Sequence, residues 1–592
     1  MKTNRSNKKV FFPNKAVDGR REKIIFLIEI GFLIAAGLLF SFSFLGHFVV
    51  PNSDFLSFLS TGKSWLHFQI PNSMKRAPVY SIITALAGLP FSRPDRYLLG
   101  AEVYNALMLP VVMILIYLNC RKIKLAGAVW IALLAGISPW VVRLSSEPLA
   151  ELTILAFFAA TILFVRDNIK LAYLFAALAS ITRWDMVGLI PAVALADLLQ
   201  NRKWRKTIIR SVTASIPFIL CMIITAVQLL KSKAEGGGGH YLQVLGQDRT
   251  FRLLEDLRLY WEGIMSFLNV QLGHRDWTGE TVAFDTMNSA IFWITASLLL
   301  VTFMAGAAFA FIRKQWEIIV MLITAVPYIL IHAVYPYRLS RFCVPVQWGI
   351  FLVAAYGLQI VYRKLFAENK RKVLRIILSI TVGIVFVFWA VKIGEGFLLA
   401  RRICPPISLA SIVTLILALV SFVVIEIIRK SALSARWLLV PVFLFMAVLS
   451  SGSNIGLRMN NKADVNFKKL AEWFLENAEE NDKMVTTMPG FMPIFTGLPE
   501  DRFIHSGSFS REDANDFAEY IQKCKEGGVT LIAWDSRIAK IGDLYYEIWG
   551  LDRTEVLAAP VLGMKVDMIG RCKLIHMISD GEPKIAIYRI MP

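Results

Sequence analysis

Five short segments combine residue types that can do chemistry with unusual settings. In HFVVPNSDFLSFLS, Asp54 follows a long apolar run by a few residues. It is either the N-cap of the apolar-periodic stretch behind it or a carboxylate kept for function. Met74-Lys75-Arg76-Ala77-Pro78 puts two cations at the head of another apolar-periodic stretch. Such a pair at headgroup depth either holds a lipid phosphate or snorkels out of the interface. In SPWVVRLSSEPLAEL, Glu147 opens an apolar run and Glu151 lies one turn deeper. A helix N-terminus favours an anion, so capping accounts for Glu147. Glu151 is harder to account for, because an ionisable group within an apolar run is costly and functional by default. Arg183-Trp184-Asp185 separates two short apolar runs, as a pair that can simply neutralise itself. Last, Tyr335-Pro336-Tyr337-Arg338-Leu339-Ser340-Arg341-Phe342 carries two arginines three residues apart. The planar guanidinium fork matches phosphate oxygens, so Arg338 and Arg341 point to an anionic ligand.

The elements that position these residues are membrane helices. Of 592 residues, 56% are hydrophobic and 18% charged, with a mean hydropathy of +0.56. That is more apolar surface than a water-facing fold can bury. Disordered, collagen-like, disulfide-scaffold and ordinary soluble classes are excluded, and the six cysteines fall at no metal or disulfide spacing. Apolar runs predict thirteen spans: 24–46, 98–119, 125–142, 149–165, 170–182, 186–200, 207–230, 289–312, 316–335, 342–362, 374–394, 407–428 and 437–453. The two within 170–200 are short enough to be one re-entrant hairpin.

The net charge of +20 then acquires a place. With a cytoplasmic N-terminus, every inner loop is basic, and those short loops hold 28 of the 64 Lys and Arg. An odd number of crossings leaves the C-terminus outside. Three segments stand on that outer face: the loop 47–97 with two interfacial helices, a flap 231–288 entered through Gly236 to Gly239, and the tail 454–592. The tail carries 17 basic and 21 acidic residues. It alternates helix and strand patterns, with helices at 464–480 and 511–524 and strands at 483–487, 529–534 and 584–590, so it reads as a small α/β domain. The expected organisation is a basic cytoplasmic N-terminus (1–23), a transmembrane domain (24–453) and a soluble extracytoplasmic domain (454–592). The fold class is a polytopic all-α membrane protein with a small C-terminal α/β domain. Nucleic acid is not an expected partner, because the basic residues border the spans and the soluble tail is acidic.

The order of these segments resembles the C-type glycosyltransferases, polytopic enzymes that take sugars from polyprenyl-phosphate donors. Within them it is most similar to the protein O-mannosyltransferase and aminoarabinose transferase branch and related bacterial enzymes. Asp54 with Lys75, Arg76 and Pro78 resembles the family's first outer loop. SSEPLAELTILAFFAA resembles the second acidic loop, with Glu147 at the matching acid. Thr182, Arg183 and Pro191 match a pair of spans, and Arg341, Phe342 and Pro345 match the entry to a late span. Phe342 stands where the family commonly has Tyr, and no Asp-x-Asp occurs at Asp54.

The resemblance implies a multi-pass enzyme of the plasma (inner) membrane. It would move a sugar from an undecaprenyl- or dolichyl-type phosphate to a lipid, glycan or protein acceptor, with inversion. Asp54 would be the general base. Lys75, Arg76, Arg338 and Arg341 would hold the leaving phosphate, and Glu147, Glu151 and Arg183 would position the acceptor or a metal. The cofactor is left open; a divalent metal, if used, would fall on Asp54 and Glu147. Two other classes compete: a transporter or lipid flippase, and a non-catalytic envelope-assembly protein on the same scaffold.

Overall fold

The fold comes from a computed structural model that describes residues 19–52, 54–234, 286–333, 340–367, 405–429, 440–441, 444–445, 448–449, 465–509, 517–535, 571–580 and 584–592. The chain divides into two compact units. One comprises 1–45, 70–80 and 105–460; the other comprises 46–69, 81–104 and 461–592. This differs from a division by composition, because two pieces of the first predicted outer loop fold with the tail.

In chain order the first helices are α1 (Gly19–Phe42), α2 (Asp54–Leu66), α3 (Pro78–Ala87), α4 (Arg96–Lys122), α5 (Ala128–Gly136), α6 (Pro139–Ser146) and α7 (Glu151–Phe164). They continue as α8 (Ile169–Ser180), α9 (Leu189–Asn201), α10 (Trp204–Ala234), α11 (Thr286–Arg313), α12 (Trp316–Ala333), α13 (Val344–Ala367) and α14 (Pro405–Ile428). Single 3-10 turns at Trp184–Gly188 and Ser340–Cys343 lead into α9 and α13. Among the described residues, six helices are long and apolar enough to cross a membrane (α1, α4, α10, α11, α13 and α14), or seven with α5 and α6 as one bent span. The protein is therefore a membrane protein, but thirteen crossings are not established. Helices α7, α8 and α9, with 14, 12 and 13 residues, are shorter than a bilayer needs. The span expected at 374–394 and most of that at 437–453 lie outside the described residues, as does most of the flap 231–288.

Proline explains where the helices of the first unit break. Pro139 excludes the helical conformation from Ser138, which is extended (φ −54°, ψ 135°), and α5 and α6 meet at 57°. Pro148 does the same to Glu147 (φ −97°, ψ 124°), which ends α6. Carbonyls freed by such a break need partners where water is scarce. Asn105 of α4 supplies them: its buried Nδ2 lies 3.3, 2.7 and 3.1 Å from the carbonyl oxygens of Leu144, Glu147 and Leu149. Tyr80 Oη donates in turn to Asn105 Oδ1 at 3.3 Å. Glycines let other helices approach closely. A Cβ on Gly37 would stand 2.9 Å from Pro110 Cα, and one on Gly306 or Gly357 would collide with backbone of the facing helix.

The second unit is built on a five-stranded sheet. Its elements are α15 (Val465–Asn477), β1 (Met484–Thr486), α16 (Met492–Thr496), β2 (Phe503–His505), α17 (Phe517–Glu526), β3 (Leu531–Asp535), β4 (Cys572–Ile578) and β5 (Ile585–Ile590). The strand order is β2-β1-β3-β5-β4; β1 runs parallel to β2 and β3, and β5 runs antiparallel to β3 and β4. Strand alternation gives the sheet two apolar faces. Ile532, Trp534, Ala586 and Tyr588 join Tyr520, Ile521 and Cys524 of α17 on one face. Leu531, Ala533, Ile585 and Ile587 join Phe467, Leu470, Ala471 and Phe474 of α15 on the other, the helical face the sequence predicts. That second core also takes in Phe55 and Leu59 of α2, Ala85 of α3, and Leu98 and Ala101 of α4.

A buried carboxylate ties the sheet's edge together. Asp482 accepts from Thr530 Oγ1 (2.6 Å), the Glu479 N–H (2.8 Å) and Arg589 Nη2 (3.1 Å). Burial works against its ionised form, but these hydrogen bonds and the Arg589 charge outweigh it and hold the carboxyl below the ordinary 3.8. A depressed carboxyl adds stability above its unfolded-state pKa and loses it as pH falls through the folded value. The protection of the β3 amides, taken relative to unstructured exchange at the same pH, should therefore fall on acidification below about pH 4. Asp482→Asn should lower that protection at neutral pH and flatten its pH dependence; an unchanged profile would remove Asp482 as the cause. In the first unit, Asn105→Leu should destabilise the chain by on the order of 1–3 kcal/mol, through carbonyls left without a donor. Thermal unfolding in detergent reads this, and an unaltered midpoint would contradict it.

Candidate functional site

Four of the sequence-selected segments gather in the first unit, and backbone hydrogen bonds explain how. The turn bearing Lys75 and Arg76 is anchored to α10, where Gln228 accepts from the Met74 N–H at 3.0 Å and donates to the Pro71 carbonyl at 2.5 Å. At its other end, the Val79 N–H donates to Ile181 O at 3.1 Å, two residues before Arg183. Tyr80 continues through Asn105 to the Glu147 bend. The turn, the 181–185 segment and the α6–α7 junction are thus one hydrogen-bonded assembly.

Side chains close the assembly around Glu151, in the first turn of α7, where the helix N-terminus favours a negative charge. Glu151 Oε1 lies 3.5 Å from Arg183 Nη1 and 3.8 Å from Arg341 Nε. Arg183 also pairs through Nε with Asp185 Oδ2 at 2.9 Å, and that oxygen lies 2.7 Å from His332 Nε2. Glu147 pairs with Arg143 at 3.3 Å, one helical turn back. Phe342 lies among these groups: Arg183 stands 4.5 Å and Arg341 5.3 Å from its ring centre, and His332 stacks on it at 5.0 Å. An aromatic face next to guanidinium groups is attractive, so Phe342 offers both cations a favourable contact without adding a charge.

The cluster counts three arginines against three carboxylates, with His332 beside them. Glu147, Glu151 and Arg341 are buried, and such charges persist only when matched. Chemically it can hold a phosphate-sized anion that exchanges for one of its carboxylates, and it contains a carboxylate–histidine pair able to hold a proton. Among the described residues no three His, Cys, Asp or Glu side chains gather as a metal site. Glu147 is already engaged by Arg143, so a divalent metal there would have to displace an arginine.

The remaining candidates lie elsewhere. Lys75 is exposed on its turn and Arg76 half-buried. Arg338 lies outside the described residues. Asp54 belongs to the second unit, at the first position of α2. Its N–H donates to Asn52 Oδ1 at 3.0 Å. Sequence reasoning missed Arg143 and His332. Arg143 has a readable signal, its i,i+4 spacing to Glu147. His332 has none, being a single histidine in the apolar run of α12.

No family model matches the sequence, and no curated protein matches it either. Solved structures do. ArnT from Cupriavidus metallidurans in the apo state aligns over 97% of this chain and 98% of its own, at 12% identity and a TM-score of 0.52. The same protein bound to undecaprenyl phosphate aligns over 96% and 97%, at 11% identity and a TM-score of 0.49. The archaeal oligosaccharyltransferase AglB from Archaeoglobus fulgidus, in complex with an inhibitory peptide and a dolichol-phosphate, aligns over 89% of this chain and 72% of its own. That likeness has 11% identity and a TM-score of 0.48. The first likeness, nearly end to end in both chains, shows that this chain shares the fold of that ArnT structure.

The geometry makes Glu151 the shared counter-charge of two arginines. Glu151→Gln should lower the unfolding midpoint, by less than the roughly 3–5 kcal/mol of a wholly unpaired buried charge, because Asp185 still compensates Arg183. Adding Arg341→Gln should then cost less than it does alone. Strict additivity of the two substitutions would show that the pair does not interact.

Proposed function

We propose that the protein is an integral-membrane glycosyltransferase that takes a sugar from a polyprenyl-phosphate donor, undecaprenyl- or dolichyl-linked, and passes it to a hydroxyl or amine acceptor. One observation carries this reading. Among the buried charges of the described residues, the Arg183–Glu151–Arg341 cluster sets two guanidiniums against one carboxylate, beside the turn that bears Lys75 and Arg76, in a chain with the fold of ArnT. ArnT from Cupriavidus metallidurans has been solved with undecaprenyl phosphate, and a lipid phosphate is an anion that these cations suit.

On this reading the acceptor oxygen or nitrogen attacks the anomeric carbon as the bond from that carbon to the phosphate oxygen breaks. The electron pair leaves with the phosphate, and the configuration inverts. The leaving group is a phosphate monoester, already a stable anion, so it requires cations and no protonating acid. Lys75, Arg76, Arg338 and Arg341 supply them, in a water-poor setting that strengthens each contact. The acceptor must lose a proton, and Asp54 accepts it; such a base is worth about 10²–10⁴-fold. Glu147, Glu151 and Arg183 position the acceptor. The basic inner loops put the N-terminus in the cytoplasm and the reaction on the opposite face of the inner membrane.

In proteoliposomes, Asp54→Asn should lower sugar transfer from a polyprenyl-phosphate donor about 10²–10⁴-fold, with donor binding within a few-fold. Transfer near the parent rate would end the base assignment. Arg341→Ala should weaken binding of undecaprenyl phosphate about tenfold or more, the scale of a lost charge-assisted contact, and unchanged binding would remove Arg341 from the donor site.

A further inference from the structure

We infer that the C-terminal domain positions Asp54, by roofing its sheet with the helix that begins at that residue. The inference rests on the reading of Asp54 as the acceptor's base. Helix α2 has 13 residues, too short to be stable by itself, so its place is set by what it packs against. Phe55, the residue after Asp54, is wholly buried, and Leu59 nearly so. Both belong to the core formed by Leu470 of α15, Phe491, Met492, and Leu531 and Ile587 of the sheet. This core spans more than 400 residues of sequence and lies within a single compact unit.

Local contacts refine the placement. Asn52 accepts the Asp54 N–H through Oδ1 at 3.0 Å and the Phe55 N–H through its carbonyl at 2.9 Å. The backbone around Asp54 is therefore held by a turn on one side and by the Phe55 anchor on the other. Further along the same face of α2, Gly62 lies so close to the Ser81 backbone of α3 that a Cβ would collide with it. On the tail's side, the turn after β1 meets α2 at Gly490, where a Cβ would stand 2.7 Å from Leu56 Cδ1. Gly490 is itself exposed, so the contact is adjustable without cutting into the core. A base misplaced by about 1 Å loses on the order of 10²-fold in rate. The tail thus acts on the reaction through the orientation of α2.

The test is a wedge at Gly490 in the full-length protein. Gly490→Trp should push Leu56 and the head of α2 away. Amide exchange over 54–60 should quicken, turnover should fall at least tenfold, and binding of undecaprenyl phosphate should stay within about twofold. Leu56→Ala in the same chain makes room for the wedge and should return both exchange and turnover most of the way. A general loss of folding would not be rescued at Leu56. The inference is overturned if Gly490→Trp leaves exchange at α2 unchanged, if exchange quickens with turnover intact, or if Leu56→Ala restores neither. The underlying reading fails separately: full transfer by Asp54→Asn would end it, whatever Gly490→Trp does.

Discussion

The Glu151 carboxylate faces two guanidiniums at once, and burial leaves Glu151 and Arg341 little solvent alternative while Arg183 is half-buried. In a low-dielectric interior each charge must be matched within a few ångströms or not be carried at all. This requirement draws the start of α7, the segment before α9 and the segment before α13 together. Asp185 and His332 extend the network to α12, and Arg143 and Glu147 extend it back to α6. With three arginines against three carboxylates the network is already near neutrality, so under the proposed function a lipid phosphate would have to take a guanidinium from one of its carboxylates.

The backbone had to be broken to put the charges there. Three short helices and a bent pair replace continuous spans, and each break frees carbonyls at membrane depth. Asn105 answers for three of them. It also links the Lys75–Arg76 turn to the Glu147 bend through Tyr80, so one residue supports both the architecture and the placement of the polar groups. The cost of irregular backbone is met by side chains that also orient the site.

Much of this was legible from residue type and depth. Glu151 stood out as an ionisable group within an apolar run, Arg341 as one of two arginines three apart, and Arg183 as half of a pair that could simply neutralise itself; the structure joins all three. His332 was illegible: a lone histidine in ILIHA looks like any core residue until Asp185 is set beside it. Phe342 appeared only as a departure from tyrosine, whereas its ring is the surface on which two arginines and the histidine meet. In the tail, the α15 face and strands β1, β3 and β5 followed from periodicity. Strand β2 has three residues and β4 alternates with Lys573 and His576, so neither gave a strong apolar signal. That α2 completes the tail's core is a contact across most of the chain, and no local pattern encodes it. The span count was the least legible quantity, because α7, α8 and α9 are apolar helices shorter than a bilayer.

The central claim is that the bond between sugar and lipid phosphate breaks in this protein. Purified protein in liposomes, given a polyprenyl-phosphate donor labelled in both sugar and lipid together with an acceptor extract, tests it directly. The account predicts that sugar label appears on the acceptor as an equal amount of free lipid phosphate forms, with inverted anomeric configuration in the product. Sugar and lipid labels that stay joined while crossing the bilayer together would contradict it and describe a flippase instead.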